Sequence, residues 1–455
     1  MDQAWWTEVV FRGWRERPGP RHRRLASAVL DAVADGTLGE GTRVPAERAL
    51  AAALGVSRGT VVACYERLAT AGVLARRQGA GTFVLGRPSW TAGGAATLLL
   101  RRNEQAIDLS LSVPADRSHL PPIDAAAAWA GLDGAGLDPA GLPALRAAVA
   151  RHLTRHQQLP TEPDQILVTA GAQEALWLLA RTGSGLVTTC PTYPGLAGVG
   201  RPAGLLLTGP DGADPAAVAR LARPGTVVHL MPTGHNPTGT VMPALARQSV
   251  AAVADAGRAT IVEDLTLADL HLDGEPPPPL AALSPAVVAV GSASKLLWSG
   301  LRVGWIRADG PVLATLLAAK ASLTLATAAV TQAVTAQLLD SIDGPWLAAH
   351  RAALALRRDH LAAELAARLP GWRITRPAAG LSLWVELPVA SADAFAHTAA
   401  RHGVTISPGS ASCLDGRHHG HVRLSFAGQL DTLTTAAERL AAAWAAHATD
   451  LAASP

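Results

Sequence analysis

Lys295 is one of only two lysines in this 455-residue chain, and it lies in Gly291-Ser292-Ala293-Ser294-Lys295 with Arg302 seven residues on. A chain that otherwise draws its cations from arginine keeps a primary amine here. Imine chemistry needs such an amine, because it loses its proton when desolvated or set near other cations, whereas a guanidinium stays protonated. Lys295 is therefore read as a Schiff-base lysine, and Ser292, Ser294 and Arg302 beside it suit a phosphate. The plainer alternative is a surface lysine after a polar turn. Lys320 lies in an Ala/Leu/Thr-rich helical run without comparable surroundings.

Other strand ends carry groups that describe the same ligand. Thr169-Ala170-Gly171-Ala172-Gln173 leaves a strand and opens a helix, where free N–H groups and the helix dipole hold anions. Tyr193, in Pro191-Thr192-Tyr193-Pro194-Gly195, is one of two tyrosines and is read as a ring-stacking platform. His235-Asn236-Pro237-Thr238-Gly239 offers the Asn236 amide at the mouth of a sheet. Glu263-Asp264 ends a strand, where a buried carboxylate needs a cation, and a protonated pyridine nitrogen is one. An imine on Lys295, a carboxylate for the ring nitrogen and a phosphate cup together imply pyridoxal 5'-phosphate. Arg423, interrupting Val422-Arg423-Leu424-Ser425-Phe426, is read as a clamp for an α-carboxylate, against a structural ion pair.

The first 87 residues hold thirteen arginines against eight carboxylates, whereas the remainder is slightly acidic in a chain of net charge +3. A basic front end suits a polyanion. Leu25, Val29, Leu30 and Val33 predict one helix, and Ala49, Leu50 and Ala53 are expected inside a second. After the turn Leu54-Gly55-Val56, Ser57 caps a third with Val61, Cys64, Tyr65 and Leu68 on its inner face. Two short strands around Gly79-Ala80-Gly81 follow as a wing, with Arg76 and Arg77 on it. This is helix-turn-helix geometry, with Arg58 at the end that enters a major groove; the same unit can also serve only for packing or dimerisation.

With 49% of its residues hydrophobic, a chain of this length can enclose more than one core, so two or three domains are expected. Residues 15–86 read as the DNA-binding domain, 87–106 as a linker of Pro, Gly, Ser and Thr, and 107–446 as the body. In the body, apolar runs at 166–168, 186–189, 227–230, 260–262 and 287–290 alternate with helical stretches. That pattern predicts a largely parallel sheet covered by helices, with a smaller α+β lobe from about residue 345. Residues 311–339 read as one long, partly buried helix rather than a membrane span. Three widely spaced cysteines predict buried small hydrophobes in a reducing cytosol, not a disulfide framework or a cysteine-rich zinc site, so no metal is expected. Met1 to Trp14 mixes acids, bases and tryptophans, which predicts no secretory leader and a cytoplasmic protein.

Residues 21–85 resemble the winged-helix domain of GntR-type bacterial regulators, through Gly41-Thr42-Arg43-Val44-Pro45-Ala46-Glu47-Arg48, Leu54-Gly55-Val56-Ser57-Arg58-Gly59-Thr60-Val61 and Gly79-Ala80-Gly81-Thr82-Phe83-Val84. The resemblance implies operator contacts from Arg48, Ser57, Arg58, Thr60 and Gly79, with Arg43 and Arg77 as further candidates. From about residue 107 to 446 the chain resembles fold-type I aminotransferases. Gly171-Ala172-Gln173, Tyr193, Asn236, Asp264, Ser292-x-Ser294-Lys295, Arg302 and Arg423 fall at the family's phosphate, stacking, ring-oxygen, pyridine-nitrogen, Schiff-base and carboxylate positions. Together the two parts resemble MocR-type regulators, which implies a homodimer, paired head-to-tail, with its sites at the subunit interface.

One departure bears on activity. Aminotransferases usually place a tyrosine two or three residues after the pyridine-binding aspartate, and here those positions are Thr266 and Leu267. Tyr65 belongs to the basic front end, and Tyr193 has a role already. The favoured expectation is a regulator of double-stranded operator DNA, modulated by pyridoxal phosphate and an amino-acid or amine effector, with weak or no turnover. A working aminotransferase fused to a DNA-binding module, and a repressor whose body only dimerises, are the alternatives.

Overall fold

The computed structural model describes residues 5–16, 19–34, 37–38, 42–70, 73–77, 81–84, 106–197, 199, 202–209, 211–389, 391–413 and 418–452. The chain divides into two compact units, residues 1–92 and 93–455.

In the first unit, helices α1 (Arg21–Ala34), α2 (Glu47–Leu54) and α3 (Arg58–Thr70) precede an antiparallel hairpin of β1 (Leu74–Arg77) and β2 (Gly81–Val84). Gly55 ends α2 in the left-handed region, at φ 65°, and the Val56 N–H bonds back to the Ala51 carbonyl at 3.1 Å. Val61, Cys64, Tyr65 and Leu68 are buried as expected. Two details of the sequence reading change. Leu30 is 41% exposed, because the 3.6-residue period turns Leu25, Ala28, Val29, Ala32 and Val33 inward and leaves Leu30 beside that stripe. On α2 the inward face is Leu50, Ala51 and Leu54; Ala49 and Ala53 are exposed. The core also takes in Trp6, Val10, Phe11 and Trp14, ahead of the expected boundary at residue 15.

The second unit begins with β3 (Ile107–Asp108). Then come β4 (Ile166–Thr169), α4 (Ala172–Thr182), β5 (Gly185–Cys190), β6 (Pro202–Gly209), β7 (Gly212–Ala213), β8 (Thr226–Leu230), α5 (Ala244–Asp255), β9 (Thr260–Asp264), β10 (Val288–Ser292), α6 (Ala293–Leu296) and β11 (Gly304–Arg307). Among the described residues these strands form an eight-stranded sheet in the order β4-β11-β10-β9-β8-β5-β6-β7. β11 and β7 are antiparallel to their neighbours and the other pairings are parallel.

The strands are apolar on both faces because helices cover both. Leu167, Val227, Val262, Val288 and Ile306 turn towards α4, while Ile166, Val168, Val228, Ile261 and Trp305 turn into the larger core on the other side. With the parallel strands aligned, Thr169, Cys190, Leu230, Asp264 and Ser292 finish at the same edge of the sheet, where open α/β sheets bind ligands.

The helix expected over 311–339 is instead two, α7 (Gly310–Thr324) and α8 (Ala329–Asp340). Leu325 stands between them at φ 54°, a left-handed conformation that ends the first helix. Lys320 on α7 is buried and donates to the Pro139 carbonyl at 2.7 Å. Beyond them, α9 (Gly344–Arg368), β12 (Arg373–Thr375), β13 (Ser382–Glu386), α10 (Asp393–Arg401), β14 (Val404–Thr405), β15 (Ser407–Pro408), β16 (His421–Ser425) and α11 (Leu430–Ala452) build the smaller lobe. Its antiparallel sheet runs β12-β13-β16-β15, and β14 pairs separately, in parallel, with β3. No helix among the described residues is long and apolar enough to cross a membrane.

Candidate functional site

β10 delivers Ser292, whose hydroxyl caps α6 by accepting from the Ser294 N–H at 3.2 Å, and the next turn presents Lys295. The Lys295 Nζ donates to the Ser112 carbonyl at 2.7 Å. Burial and the nearby Arg423 guanidinium push its pKa down to about 8, with Arg302 adding to the effect and Asp264 opposing it. An amine with such a pKa is partly unprotonated near neutrality, as a nucleophile must be.

Asp264, at the end of β9, is buried; its Oδ1 accepts from the Thr266 N–H at 2.9 Å, and its Oδ2 lies 3.4 Å from His229 Nε2. The other ring nitrogen of His229 meets Thr188 Oγ1 at 3.2 Å, and Thr188 meets Thr192 Oγ1 at 3.1 Å. This chain of polar side chains orients the carboxylate from beneath. Neighbouring Glu263 points to the opposite face, as the alternation of a strand requires, and is met there by Arg247 at 3.8 Å and by the Ala281 N–H at 2.9 Å.

The expected phosphate residues gather at the start of α4. Gly171 caps the helix at φ 98° and ψ 169°, a conformation that essentially only glycine adopts. A Cβ there would stand 2.8 Å from Arg302 Nη2, so the missing side chain is what admits the guanidinium. Arg302 itself has φ 53° and donates to the Ala170 carbonyl at 2.9 Å. Gly304 brings β11 against this loop, since a Cβ on it would lie 2.7 Å from the Gly171 carbonyl carbon. Ser292 and Ser294 hydroxyls are 3.0 Å apart on the neighbouring strand end. Gln173 holds the Gly195 carbonyl through Nε2 at 2.7 Å, while its buried Oε1 has no hydrogen-bond partner among the described residues. Tyr193, half-buried, packs against the cores of both sheet faces.

From the smaller lobe, β16 sends in Arg423, which is 4% exposed. It donates to Asn236 Oδ1 at 3.0 Å and to the Ser110 carbonyl at 2.6 Å, and its buried Nε has no partner among the described residues. The Cys190–Pro191 and Asn236–Pro237 peptide bonds are cis. His235, before the second, makes contacts with Thr189 at 2.9 Å and Thr238 at 2.8 Å; burial pushes its pKa down to about 3, so the ring is neutral.

On the first unit, Ser57 Oγ accepts from the Thr60 N–H at 3.2 Å and meets Thr60 Oγ1 at 2.8 Å, starting α3. Arg58 and Arg48 are exposed, and Arg58 reaches Glu47 at 3.2 Å. Arg43, also exposed, bridges to Phe83 through the main chain and lies against Gly81, where a Cβ would stand 2.9 Å from its Nε. Arg77 is on β1 with its side chain outside the described residues, and Gly79 lies outside them altogether.

Residues 105–440 match the profile of aminotransferase class I and II. The chain belongs to that family. Ahead of its aminotransferase part, residues 21–84 match the bacterial regulatory proteins of the gntR family, so a GntR DNA-binding domain is fused to an aminotransferase-like domain. One relative matches along nearly the whole chain. The chain is 28% identical to an HTH-type transcriptional regulator of Bacillus subtilis, YisV, over 94% of this chain and 97% of that protein. It is 31% identical to the HTH-type pyridoxine biosynthesis transcriptional regulator PdxR of Corynebacterium glutamicum, over 70% of this chain and 72% of that one. Among solved structures, the α-aminoadipate aminotransferase LysN of Thermus thermophilus, complexed with N-(5'-phosphopyridoxyl)-L-leucine, shares 26% identity at a TM-score of 0.70, covering 77% of this chain and 95% of that one. The fold is the fold-type I aminotransferase fold behind a winged helix.

Several groups at this site carried no clear signal in the sequence. His229 sits inside an apolar strand and reads as core; a lone polar residue one strand away from Asp264 was the available hint. Ser110 and Ser112 act through main-chain carbonyls, which any residue type supplies.

Proposed function

We propose that this chain is a transcriptional regulator that binds operator DNA through its first unit and takes up pyridoxal phosphate on Lys295 in its second. The observation that carries the reading is the half-buried Lys295 amine, held on the Ser112 carbonyl and lowered in pKa with Arg423 nearby, in a family member that also bears a GntR domain. YisV, named as an HTH-type regulator, matches 94% of this chain and so covers both parts, which supports the same reading.

The residues present fit the cofactor. The α4 N-terminus, Arg302, Ser292 and Ser294 would hold its phosphate, Asp264 its pyridine nitrogen and Asn236 its ring oxygen, and Tyr193 would stack on the ring. Pyridoxal phosphate supplies an aldehyde that condenses reversibly with primary amines and a ring that accepts electron density. Lys295 would present the unprotonated amine. Asp264, fixed by the Thr266 N–H and His229, would keep a proton on the ring nitrogen. Arg423 would receive the carboxylate of an amino-acid effector through the donor it does not yet use.

An aminotransferase with a DNA-binding module is the competing reading, supported by 29% identity to the 2-aminoadipate transaminase of Thermus thermophilus over 63% of this chain and 75% of that enzyme. Against efficient turnover stands the place where the family puts a phenol. Leu267 is buried in the core, Thr266 is engaged with Asp264 through its N–H, and Tyr65 packs in the first unit with its hydroxyl on the Pro45 carbonyl at 2.8 Å.

DNA contact would come from Arg48, Ser57, Arg58 and Thr60, with Arg43, Arg77 and Gly79 completing the surface, and a head-to-tail homodimer would read paired half-sites. The test is binding of the purified chain to its own upstream DNA at fixed salt, stripped of cofactor and then saturated with it. A specific complex whose affinity changes with cofactor supports the regulator. Absence of any specific complex, with steady amino-group transfer at roughly 1 per second or above, would establish the enzyme instead.

A further inference from the structure

Cys190 and Cys413, which the sequence keeps far apart, meet in the folded body. Their sulfurs are 3.5 Å apart, and both side chains are buried. Cys413 Sγ also lies 3.5 Å from His418 Nδ1 and accepts from the His418 main-chain N–H at 3.3 Å. One ligand atom from each of the three residues falls within 4.8 Å of the others. All three cysteines are free and buried, as expected, and the tertiary fold adds this meeting by setting the end of β5 against the segment leading into β16.

The two 3.5 Å separations are close to those between ligands of one tetrahedral metal ion, and the third stays within 4.8 Å. Zinc bonds of about 2.3 Å to sulfur and about 2.0 Å to nitrogen, at tetrahedral angles, separate two sulfurs by about 3.8 Å and a sulfur from a nitrogen by about 3.5 Å. A disulfide would need about 2.05 Å. The main-chain N–H aimed at Cys413 Sγ suits a thiolate better than a thiol. A further imidazole stands alongside: His421 has its ring centroid 5.3 Å from that of His418, and its buried Nδ1 has no hydrogen-bond partner among the described residues.

We infer that Cys190, Cys413 and His418 form a binding site for a thiophilic divalent cation such as Zn2+, separate from the lysine site. Soft thiolate and imidazole donors select such an ion over Mg2+ or Ca2+. The ion ties two segments already joined by the Thr192 N–H on the Ser412 carbonyl at 2.8 Å. It therefore braces the turn that carries Tyr193 against the lobe that carries Arg423.

Reduced, chelator-treated full-length protein carrying its cofactor is titrated with Co2+ and followed by the visible d–d bands of tetrahedral cobalt, which lie to the red of cofactor absorption. One equivalent should bind with intense bands that Zn2+ abolishes. Cys413→Ser and His418→Ala should each lose them, whereas Lys295→Ala should keep them. His418 is only half-buried, so its variant tests the site even if Cys413→Ser fails to fold. No stoichiometric binding, or bands surviving His418→Ala, overturns the assignment. So does thiol counting that finds Cys190 and Cys413 joined as a disulfide that persists in the presence of the cation.

Discussion

Arg423 donates to Oδ1 of Asn236 at 3.0 Å, so the residue expected to take a carboxylate and the residue expected to meet the ring oxygen hold each other. They come from different lobes and are 187 positions apart. The same guanidinium helps depress the Lys295 pKa, which couples Arg423 to the amine.

A pH dependence follows. Capture of pyridoxal phosphate by stripped protein needs the unprotonated amine, so its rate should rise with pH and level off above about 8. Arg423→Gln removes a charge that disfavours the ammonium and should move the midpoint upward; Asp264→Asn removes one that favours it and should move the midpoint downward. Stopped-flow absorbance of cofactor capture reads both. A midpoint that ignores Arg423→Gln would contradict the coupling.

Lys295→Arg and Lys295→Ala should both abolish the covalent cofactor band, while circular dichroism and melting stay near those of the parent. Retention of charge in the arginine variant without retention of the band separates nucleophilicity from electrostatics. Cofactor that borohydride reduction fixes covalently to the arginine variant would move the attachment to another residue.

Gly171→Ala places a Cβ in backbone space that costs about 1–3 kcal/mol and against the Arg302 guanidinium. Cofactor affinity should fall about tenfold to a hundredfold, with inorganic phosphate competing less well than in the parent. Equilibrium dialysis measures it, and unchanged affinity would remove Gly171 from the phosphate site.

Arg58→Ala should weaken operator binding by about 1–3 kcal/mol if the guanidinium reads a base edge. The exposed pair with Glu47 that it gives up is worth roughly 0–1 kcal/mol, so folding of the first unit should change little. Electrophoretic shifts on the cognate site and on scrambled DNA distinguish the two roles, because loss of a phosphate contact weakens both complexes alike.

Asp273 accepts from Arg358 at 2.8 Å and from Arg376 at 2.6 Å. Partial burial works against its charge, but these hydrogen bonds and guanidinium charges prevail and hold its carboxyl below the usual carboxylate range. Its contribution to stability is present above the ordinary carboxylate pKa and is lost as pH falls through the lowered one. Asp273→Asn should lower the melting temperature by roughly 1–3 °C at neutral pH, and the gap to the parent should close in acid. A gap independent of pH would deny the ion pairs that role.

Residue types with a single chemical use were legible in the chain. Lys295, Asp264, Arg302 and Gly171 come together as their spacing implied, because each is rare at its kind of position and sits at a strand end, where alternation and turn chemistry are local. Contacts between distant segments were not legible. The Cys190–Cys413 pair depends on how the smaller lobe docks, and the main-chain carbonyls of Ser110 and Ser112 leave no trace in residue identity. Ala49 and Ala53 failed for a gentler reason: alanine is equally at home on either face of a helix, so α2 takes its orientation from Leu50 and Leu54.

The pairing of β3 with β14 fastens the first described residues of the body into the smaller lobe. Within the next few residues the segment that follows offers the Ser110 carbonyl to Arg423 and the Ser112 carbonyl to Lys295. Residues 107–112 thus link the smaller lobe, the Arg423 guanidinium and the Lys295 amine within one short segment of the second unit. Imine formation at the Lys295 amine would retune its hydrogen bond to the Ser112 carbonyl in that segment. A short stretch of main chain is in this sense able to register the state of the Lys295 amine.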